Sequence, residues 1–451
     1  MRLRPLLCLA LWALAAAAGA QPPDRARLQQ VVLSNGLRVA GYRDESTTLV
    51  GVFLVVKVGA AAEGEELRGA RSLLQEVFRT RLEQELRSRP EYFDLTGALL
   101  VSGGLDLNTE WEYVSLAAQC PRAELAALLR VIGQVLFVEP LAPAAFQTAR
   151  DRLQGQWEAG QADPAQGTYS LLRRAMLGPD AAAEPVFADP QRAASLDLAA
   201  VSRLRADYYV TANSLLLLVG PGSPEELIGL AVDPLVVCPR GVPARAWRTS
   251  YPLLPTNVQV GQNPSLHSQG LDVASLMIGF RFPRQDSADF PAGLVVQEML
   301  SGREGLLPTS EKLLRALASL PLGQVPTGGF PLRVLSVTAS GAPHLVVSLQ
   351  TPPDALEDVR QAVLETVNQI EVRARDPQTL ERAKRRALNT LALAGLDQQG
   401  RARRLAEWLL YARSYPLLQR LPAQIEAVDA AAVARVARQA FARQYVALQL
   451  P

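Results

Sequence analysis

The sequence predicts an α+β fold built from two homologous domains, each an antiparallel β-sheet covered by helices. The first observation is the order of elements. In each half, β-branched runs joined by turns come first, helical periodicity follows, and strands and helices then alternate again. The second is an internal duplication at an interval of about 230 residues, which is the length of a domain and not of a solenoid repeat.

The first half opens with two short strands joined by a turn. Residues 31–33 and 37–39 lie on either side of Ser34-Asn35-Gly36, a sequence that favours a tight turn. Residues 50–58 follow as a long run rich in β-branched residues. Such a run is typical of a buried strand.

The duplication is clearest in the later strands and helices. Residues 114–119 form a strand-like run that stops at Cys120-Pro121, after which apolar residues recur at helical spacing. Residues 345–350 form a similar run, which stops at Pro352-Pro353 and is followed by the same helical spacing. The two runs therefore predict corresponding strands in the two domains.

This duplication defines the predicted domain organisation. The N-terminal domain spans residues 22–225 and the C-terminal domain spans residues 256–451. Between them, residues 226–255 contain five prolines. This composition predicts a linker.

Residues 1–20 have the layout of a cleavable secretory signal. Arg2 and Arg4 precede an apolar run at 6–17, and Ala18-Gly19-Ala20 supplies small residues for cleavage before Gln21. We expect the mature chain to be secreted or periplasmic. We also expect no integral membrane segment after the signal is removed.

Composition narrows the classes of function. Of the 451 residues, 49% are hydrophobic, and the formal net charge is +2. These values favour well-packed globular domains and give no reason to expect a nucleic-acid partner. Two cysteines remain after signal removal, Cys120 and Cys238. An oxidising compartment permits a disulfide between them, and two unpaired thiols are the alternative.

Several short segments occur in an order typical of one peptidase family. Residues 33–39 read Leu-Ser-Asn-Gly-Leu-Arg-Val, residues 58–60 read Val-Gly-Ala before Glu63, and residues 207–213 read Asp-Tyr-Tyr-Val-Thr-Ala-Asn before an apolar strand. Together with the duplication, these segments resemble the pitrilysin/insulinase family of inverted-zincin metallopeptidases, in its short two-domain bacterial form. The resemblance implies a metallopeptidase-like fold that forms half of a clam-shell.

Residues 69–76 lie where this family has its zinc-binding helix. The family motif is Gly-x-Ala-His-x-x-Glu-His, in which both histidines bind the metal and the glutamate activates a water molecule. Here Ser72 stands at the first histidine, Gln75 at the glutamate and Glu76 at the second histidine. The resemblance therefore implies a degenerate motif with no catalytic residue and no bound zinc.

The residues themselves also argue against zinc. A catalytic zinc needs three protein ligands, usually including imidazoles, and an open position for water. The chain has only two histidines, His267 and His344, and neither is near Ser72 in sequence. Gln75 cannot accept a proton from water as a carboxylate can. Glu76 alone makes a poor metal site and is interpreted as a solvated helix residue.

The resemblance assigns three further positions. The third zinc ligand of the family corresponds to Gln156, or to Glu158 if the alignment shifts slightly. Active enzymes or their partner chains also use an arginine and, seven residues later, a tyrosine that contact the substrate. Arg315 matches the arginine, whereas Leu322 stands at the tyrosine. Arg315 is therefore either a weak substrate-binding residue or an exposed helix arginine.

The function favoured by these observations is that of a non-catalytic peptidase homologue. We expect it to be the partner subunit of a zinc-bearing relative in a peptide-degrading or processing complex, because family enzymes of this length commonly work as two-chain assemblies. The expected partner is that relative, in a heterodimer, or a second copy of this chain, and peptide is a candidate ligand. Two alternatives are a structural assembly subunit without peptide binding and a hydrolase with an altered site that uses Glu76, Glu158 and other carboxylates.

Overall fold

The computed structural model describes residues 27–160, 164–178, 195–248, 250–254, 265–267, 273–302, 304–317, 332–394 and 398–450. The predicted signal at 1–20 lies outside these residues and stays a prediction.

The described strands form two sheets. They are β1 (Leu28–Val32), β2 (Arg38–Arg43), β3 (Leu49–Val56), β4 (Leu105–Thr109), β5 (Val114–Pro121), β6 (Ser214–Gly220), β7 (Ser265–His267), β8 (Ala274–Arg281), β9 (Leu332–Val337), β10 (His344–Thr351) and β11 (Gln444–Leu450).

The described α-helices surround these sheets. Those of the first half are α1 (Ala70–Ser88), α2 (Phe93–Val101), α3 (Leu125–Gly133), α4 (Pro143–Gly160), α5 (Pro164–Leu177), α6 (Leu198–Tyr208) and α7 (Pro224–Val236). Those of the second half are α8 (Phe290–Leu300), α9 (Glu311–Leu317), α10 (Leu356–Asn368), α11 (Ile370–Arg373), α12 (Pro377–Leu393), α13 (Gln398–Tyr411), α14 (Tyr415–Glu426) and α15 (Ala430–Phe441).

The two sheets repeat one strand order, and the predicted α+β fold is confirmed. The first sheet has the order β1-β2-β6-β3-β5-β4, and the second has the order β7-β11-β8-β10-β9. Apart from β1, each strand of the first sheet has a counterpart at the same place in the second. The predicted duplicate strands are β5 and β10.

One detail of the sheets differs from the predicted antiparallel arrangement. Each sheet contains a parallel pair, β2 with β6 and β7 with β11, while the other neighbours are antiparallel. In both halves the closing strand arrives after a series of helices, so no tight turn forces it to run antiparallel to the first strand.

The first part of the predicted linker at 226–255 is helical. Helix α7 (Pro224–Val236) begins with a capping box between Ser223 and Glu226 and has a proline at its first position, where proline is favourable. It packs on α3 and β2 of the first half. Pro234 lies in the last turn, where a proline ends a helix without preventing the earlier turns. The linker predicted from the prolines therefore begins too early, because residues 226–236 belong to α7.

After α7 the chain crosses between the halves and bonds to both. The indole N–H of Trp247 donates to the carbonyl oxygen of Glu112 at 2.6 Å, in the first half. The main-chain N–H of Tyr251 donates to the carbonyl oxygen of Gly341 at 2.9 Å, in the second. The crossing segment is thus held at defined points.

Each half also sends one helix onto the sheet of the other half. Helix α5 packs on β8 and β11, and helix α13 packs on β3, β5 and β6. Phe53 of β3 and Leu405 of α13 consequently belong to one apolar core with the residues of the second sheet. The two halves therefore complete each other's cores.

Both cysteines of the predicted mature chain are buried and unpaired. Burial raises the pKa of the Cys120 thiol to about 12 and that of the Cys238 thiol to about 11. Of the two alternatives, the structure has the unpaired thiols.

Within the described ranges, no single helix is long and apolar enough to cross a membrane. One pair of segments, Arg122–Val138 and Pro143–Gly155, meets that criterion together by length and composition, with a bend of 96° between its members.

Candidate degenerate metal site

Helix α1 carries the positions that the resemblance assigns to the zinc motif. It begins after Gly69, whose φ of 91° lies in the left-handed region that favours glycine. Ser72, Gln75 and Glu76 are all buried, with 5%, 4% and 5% of their surface exposed. Positions three and four apart share one face of a helix. This face of α1 meets the strands β4 and β5.

A buried ion pair fixes the start of α1. Arg71 is fully buried, and its Nε lies 3.1 Å from Oε2 of Glu63. The other carboxylate oxygen of Glu63 accepts the main-chain N–H of Arg71 at 2.6 Å, at a helix N-terminus where a negative charge is favourable. Arg71 Nη1 also donates to the carbonyl oxygen of Glu110 at 2.6 Å. The pair therefore ties the helix to the turn between β4 and β5.

Gln75, at the position of the catalytic base, is a hydrogen-bond donor to the first sheet. Its Nε2 lies 3.0 Å from the carbonyl oxygen of Asn108 and 3.4 Å from that of Ser115. These two residues face each other on β4 and β5. A carboxylate at this position would meet two carbonyl oxygens and no donor from them. An amide fits the position, and a general base does not.

Glu76 is buried, so its interpretation as a solvated residue is wrong. Its Oε1 lies 3.2 Å from Nε of Arg79, three positions later on the same helix. A buried carboxylate is costly unless it is paired, and this arginine supplies the pairing charge. Arg79 also donates from Nη2 to the carbonyl oxygen of Leu107 at 2.8 Å and from Nη1 to that of Leu105 at 3.4 Å.

The carbonyl groups that accept hydrogen bonds from Arg79 lie on the outer edge of the first sheet. Strand β4 is the last strand of that sheet. In the turn that follows, the N–H of Glu110 donates to the carbonyl oxygen of Tyr113 at 2.9 Å. Hydrogen-bonded pairs alternate along antiparallel strands, so the odd-numbered residues of β4 direct their main-chain groups away from β5. Leu105 and Leu107 are two of these, and α1 therefore covers part of this edge.

The residues on this face do not fit a zinc ion. Ser72 and Gln75 offer only neutral oxygens, and Glu76 is paired with Arg79. Zinc in proteins is bound by thiolate, imidazole and carboxylate groups. In the part of the chain that the structure describes, no group of three or more His, Cys, Asp or Glu side chains could hold a metal ion.

Comparison with known proteins supports the family resemblance seen in the sequence. A model of the family described as peptidase M16 inactive domain matches residues 195–387. This match covers less than half of the chain, and it confirms the resemblance to the pitrilysin family that the sequence shows. The matched region runs from α6 of the first half to α12 of the second. No curated protein matches the sequence.

Solved structures share the fold of this chain over nearly its whole length. A protease from Helicobacter pylori has 13% identity and a TM-score of 0.77, with 94% of this chain and 100% of that chain covered. A peptidase M16 inactive domain from Pseudomonas fluorescens has 15% identity and a TM-score of 0.74, with 94% and 98% covered. A chain of Complex III2 from Candida albicans has 16% identity and a TM-score of 0.73, with 93% and 95% covered. At these identities the likeness establishes the fold.

The other predicted site positions are separate from the α1 face or lie outside the described side chains. Gln156 and Glu158 both lie on α4, which packs on α1, but their side chains are not described, so the choice between them stays open. Arg315 on α9 has 81% of its side chain exposed and pairs with Glu311 at 3.1 Å, which suits either predicted role. Leu322 lies outside the described residues.

The two histidines do not complete a metal site among the described residues. His344, on β10, is 1% exposed, and its ring nitrogens lie 2.8 Å from the hydroxyl of Tyr169 and 2.8 Å from the carbonyl oxygen of Ala342. Burial lowers the pKa of His344 to about 3, so its ring is neutral at ordinary pH. The side chain of His267, on β7, is not described.

A second buried group of polar side chains, which sequence reasoning missed, joins the two halves of the chain. We call it the seam cluster, and it consists of Glu112, Tyr113, Ser340, Glu407 and Tyr411. The Glu112 carboxylate accepts from the hydroxyls of Ser340 at 2.5 Å and Tyr411 at 3.0 Å. The hydroxyl of Tyr113 donates to Glu407 at 2.9 Å. These partners are more than two hundred residues apart, so no local spacing in the sequence could have signalled them.

The carboxyl groups of the seam cluster have altered proton affinity. Burial raises the pKa of Glu407 to about 7, although Arg403 and the hydroxyl of Tyr113 oppose the shift. Burial likewise raises the pKa of Glu112, against its hydrogen bonds and the charge of Arg173. A cavity of about 350 Å³ adjoins both carboxyl groups. The seam cluster can hold protons, and none of its five members has the thiol or imidazole that nucleophilic catalysis usually employs.

Proposed function

We propose that this chain is the non-catalytic partner subunit of a zinc-bearing M16 relative in a peptide-degrading or processing complex. The observation that carries the proposal is the α1 face, where Gln75 bonds to the first sheet and Glu76 pairs with Arg79 at the positions of base and ligand. The inactive-domain match and the retained peptidase fold support it. A chain that keeps the fold and lacks the site can contribute a wall and a binding surface to an assembly.

The proposal includes the compartment and the substrate class. The layout of residues 1–20 supports export, so we propose that the complex is secreted or periplasmic. The net charge of +2 gives no reason to expect a nucleic-acid ligand, and the peptidase-like fold supports peptide as the molecule that the complex handles.

The test is co-expression of the mature chain with a zinc-bearing relative from the same genome, defined by an intact His-x-x-Glu-His motif. We expect the two chains to copurify as an equimolar complex that cleaves a labelled unfolded peptide, while this chain alone does not. In the matched control, the relative carries alanine at one motif histidine, and cleavage is lost while the complex persists. Cleavage by this chain alone, or its failure to associate with any such relative, would refute the proposal.

A structural assembly subunit is the second candidate. It is favoured by the fold that this chain shares with a chain of Complex III2 from Candida albicans. In the same experiment, a stable complex whose relative cleaves peptide equally well without this chain would support that role. The altered hydrolase built on Glu76 loses support because that carboxylate is buried and paired with Arg79.

A further inference from the structure

A cavity of about 430 Å³ lies where strand β2 of the first half meets helices α12, α13 and α14 of the second. We call it the β2 cavity. Tyr42 of β2 and Tyr415 of α14 both line it, and their rings meet edge to face at 6.2 Å. Ala392 and Pro422 also line it and are exposed, so the cavity opens to solvent beside them. Its volume falls within the range of about 300–1,000 Å³ that small-molecule pockets have.

The walls of the β2 cavity are largely apolar. Three helices contribute the leucines Leu388, Leu391, Leu405 and Leu418. All four belong to, or pack against, the apolar core that the two halves share. An apolar ligand that displaced water from these walls would gain affinity in proportion to the apolar area buried. The walls therefore favour a ligand with an aliphatic body.

The charged groups of the β2 cavity are arginines of α13. Arg401 and Arg404 line it, and none of the described residues that line it is acidic. Arg401 pairs with Asp44, just after β2, and the neighbouring Arg403 pairs with Glu110. Among the described residues, no carboxylate lies within ion-pair distance of Arg404. The β2 cavity therefore contains one guanidinium group without a counter-charge.

Two side chains that line the β2 cavity also have buried N–H groups without an acceptor among the described residues. These groups are Nε of Arg404 and Nε2 of Gln419. Burial, reinforced by the charge of Arg401, lowers the pKa of Arg404, so the charged form is disfavoured at this place. Buried donors are normally satisfied, and a buried charge without a partner destabilises the fold. An anion with acceptor oxygens would supply both missing partners.

We propose that the β2 cavity binds a medium-chain aliphatic carboxylate, with its head group on Arg404 and Gln419 and its chain against the leucines. A guanidinium group can hold a carboxylate through two parallel hydrogen bonds. An ionised carboxylate only accepts hydrogen bonds, which suits a site whose unsatisfied groups are donors. The ligand would contact Tyr42 of the first half and Arg404 of the second. This inference goes beyond the proposed function and does not depend on it.

The probes are octanoate and 1-octanol, which share one alkyl chain and differ in charge, and their binding to the isolated mature chain is measured by isothermal titration calorimetry. We expect octanoate to bind at least about tenfold more tightly than octanol, as for hydrogen bonds to a charged group. Arg404→Met removes the guanidinium group and keeps an unbranched side chain, so this advantage should disappear. The matched control is Arg420→Met, which removes an exposed arginine of α14 that does not line the cavity and should leave octanoate binding unchanged.

A second variant keeps the test decisive if Arg404→Met disturbs folding. Ala392→Trp narrows the mouth of the cavity from an exposed position, and we expect it to weaken octanoate binding about tenfold without loss of stability. Absence of octanoate binding to the unmodified chain overturns the inference, as does equal binding of octanoate and octanol or unchanged octanoate binding in either variant. Tighter binding of acetyl-leucyl-leucine than of octanoate also overturns it, because the ligand is then the C-terminus of a peptide. The isolated chain is used, so these outcomes are independent of whether the co-expressed complex forms.

Discussion

Helices α1 and α8 occupy corresponding places in the two halves but carry different side chains. On α1, Gln75 and Arg79 bond to the carbonyls of β4, and Arg71 forms a buried ion pair. On α8, most buried residues are apolar, among them Val295 and Met299. The comparison shows that buried polar side chains of the degenerate zinc helix have a structural role, since Gln75 and Arg79 hold the edge strand. In the second half the helix is mainly apolar, and no described side chain of α8 forms a hydrogen bond with the edge strand β9.

Arg71→Ala should give the largest effect on stability. It leaves the buried Glu63 carboxylate without its charge partner, so we expect the free energy of unfolding to fall by about 3–5 kcal/mol. The matched control is Arg315→Ala, which removes an exposed pair with Glu311 and should cost at most about 0.5 kcal/mol. Urea unfolding of both variants tests the contrast. Similar losses for the two variants would break the comparison between the halves.

Gln75→Glu restores the family's base position and should destabilise the first half by about 2–3 kcal/mol. The new carboxylate would be buried opposite the carbonyl oxygens of Asn108 and Ser115, with no donor from either. Gln75→Met removes the hydrogen bonds without adding a charge and should cost about 1 kcal/mol. Urea unfolding at neutral pH distinguishes the two variants. If the Glu variant were as stable as the unmodified chain, Gln75 would have no structural role.

The seam cluster predicts a smaller, pH-dependent effect that involves both halves. Because the pKa of Glu407 is raised to about 7 from an ordinary 4.5, the folded chain binds a proton that the unfolded chain releases. The free energy of unfolding should therefore fall as pH rises from about 4.5 to about 7 and then level off. Glu407→Gln should reduce this slope and gain about 1–2 kcal/mol at about pH 8, with little change at about pH 4.

Thermal or urea unfolding across that range measures the slope. Some slope should remain in the variant, because the raised pKa of Glu112 acts in the same direction. The charged groups around Glu407, namely Glu110 and Arg403, stay in place in the variant. An unchanged slope would show that Glu407 does not hold the extra proton.

The sequence was sufficient to predict the repeated fold, because each copy of the repeat shows its strand and helix patterns over short segments. The runs at 114–119 and 345–350 each show strand composition, a proline stop and helical spacing, and they became β5 and β10. Residues 226–236 were misassigned because their prolines stand in the first and last turns of a helix. Helix α5 of the first half packs on the second sheet, and helix α13 of the second half packs on the first sheet. This exchange depends on tertiary packing, which local periodicity in the sequence does not reveal.

The candidate site was predictable in its positions but not in its bonding. Ser72, Gln75 and Glu76 could be placed on one helix face by their spacing. The burial of Glu76 could not be derived from composition, although Arg79 three positions later offered a pairing charge. The contacts of Glu112 and Glu407 join segments that are distant in sequence, and only the packed structure brings them together.

The most direct test of the account is the zinc content of the isolated mature chain. The chain is dialysed against dilute zinc, passed through a desalting column and analysed by mass spectrometry for metal, and the zinc-bearing relative is treated in the same way as a positive control. We predict substoichiometric zinc in this chain and close to one tightly held zinc in the relative, because Gln75 and Glu76 are engaged by the first sheet and by Arg79. The account would be contradicted if this chain held one zinc tightly per molecule and lost it when Ser72 and Glu76 were both replaced by alanine.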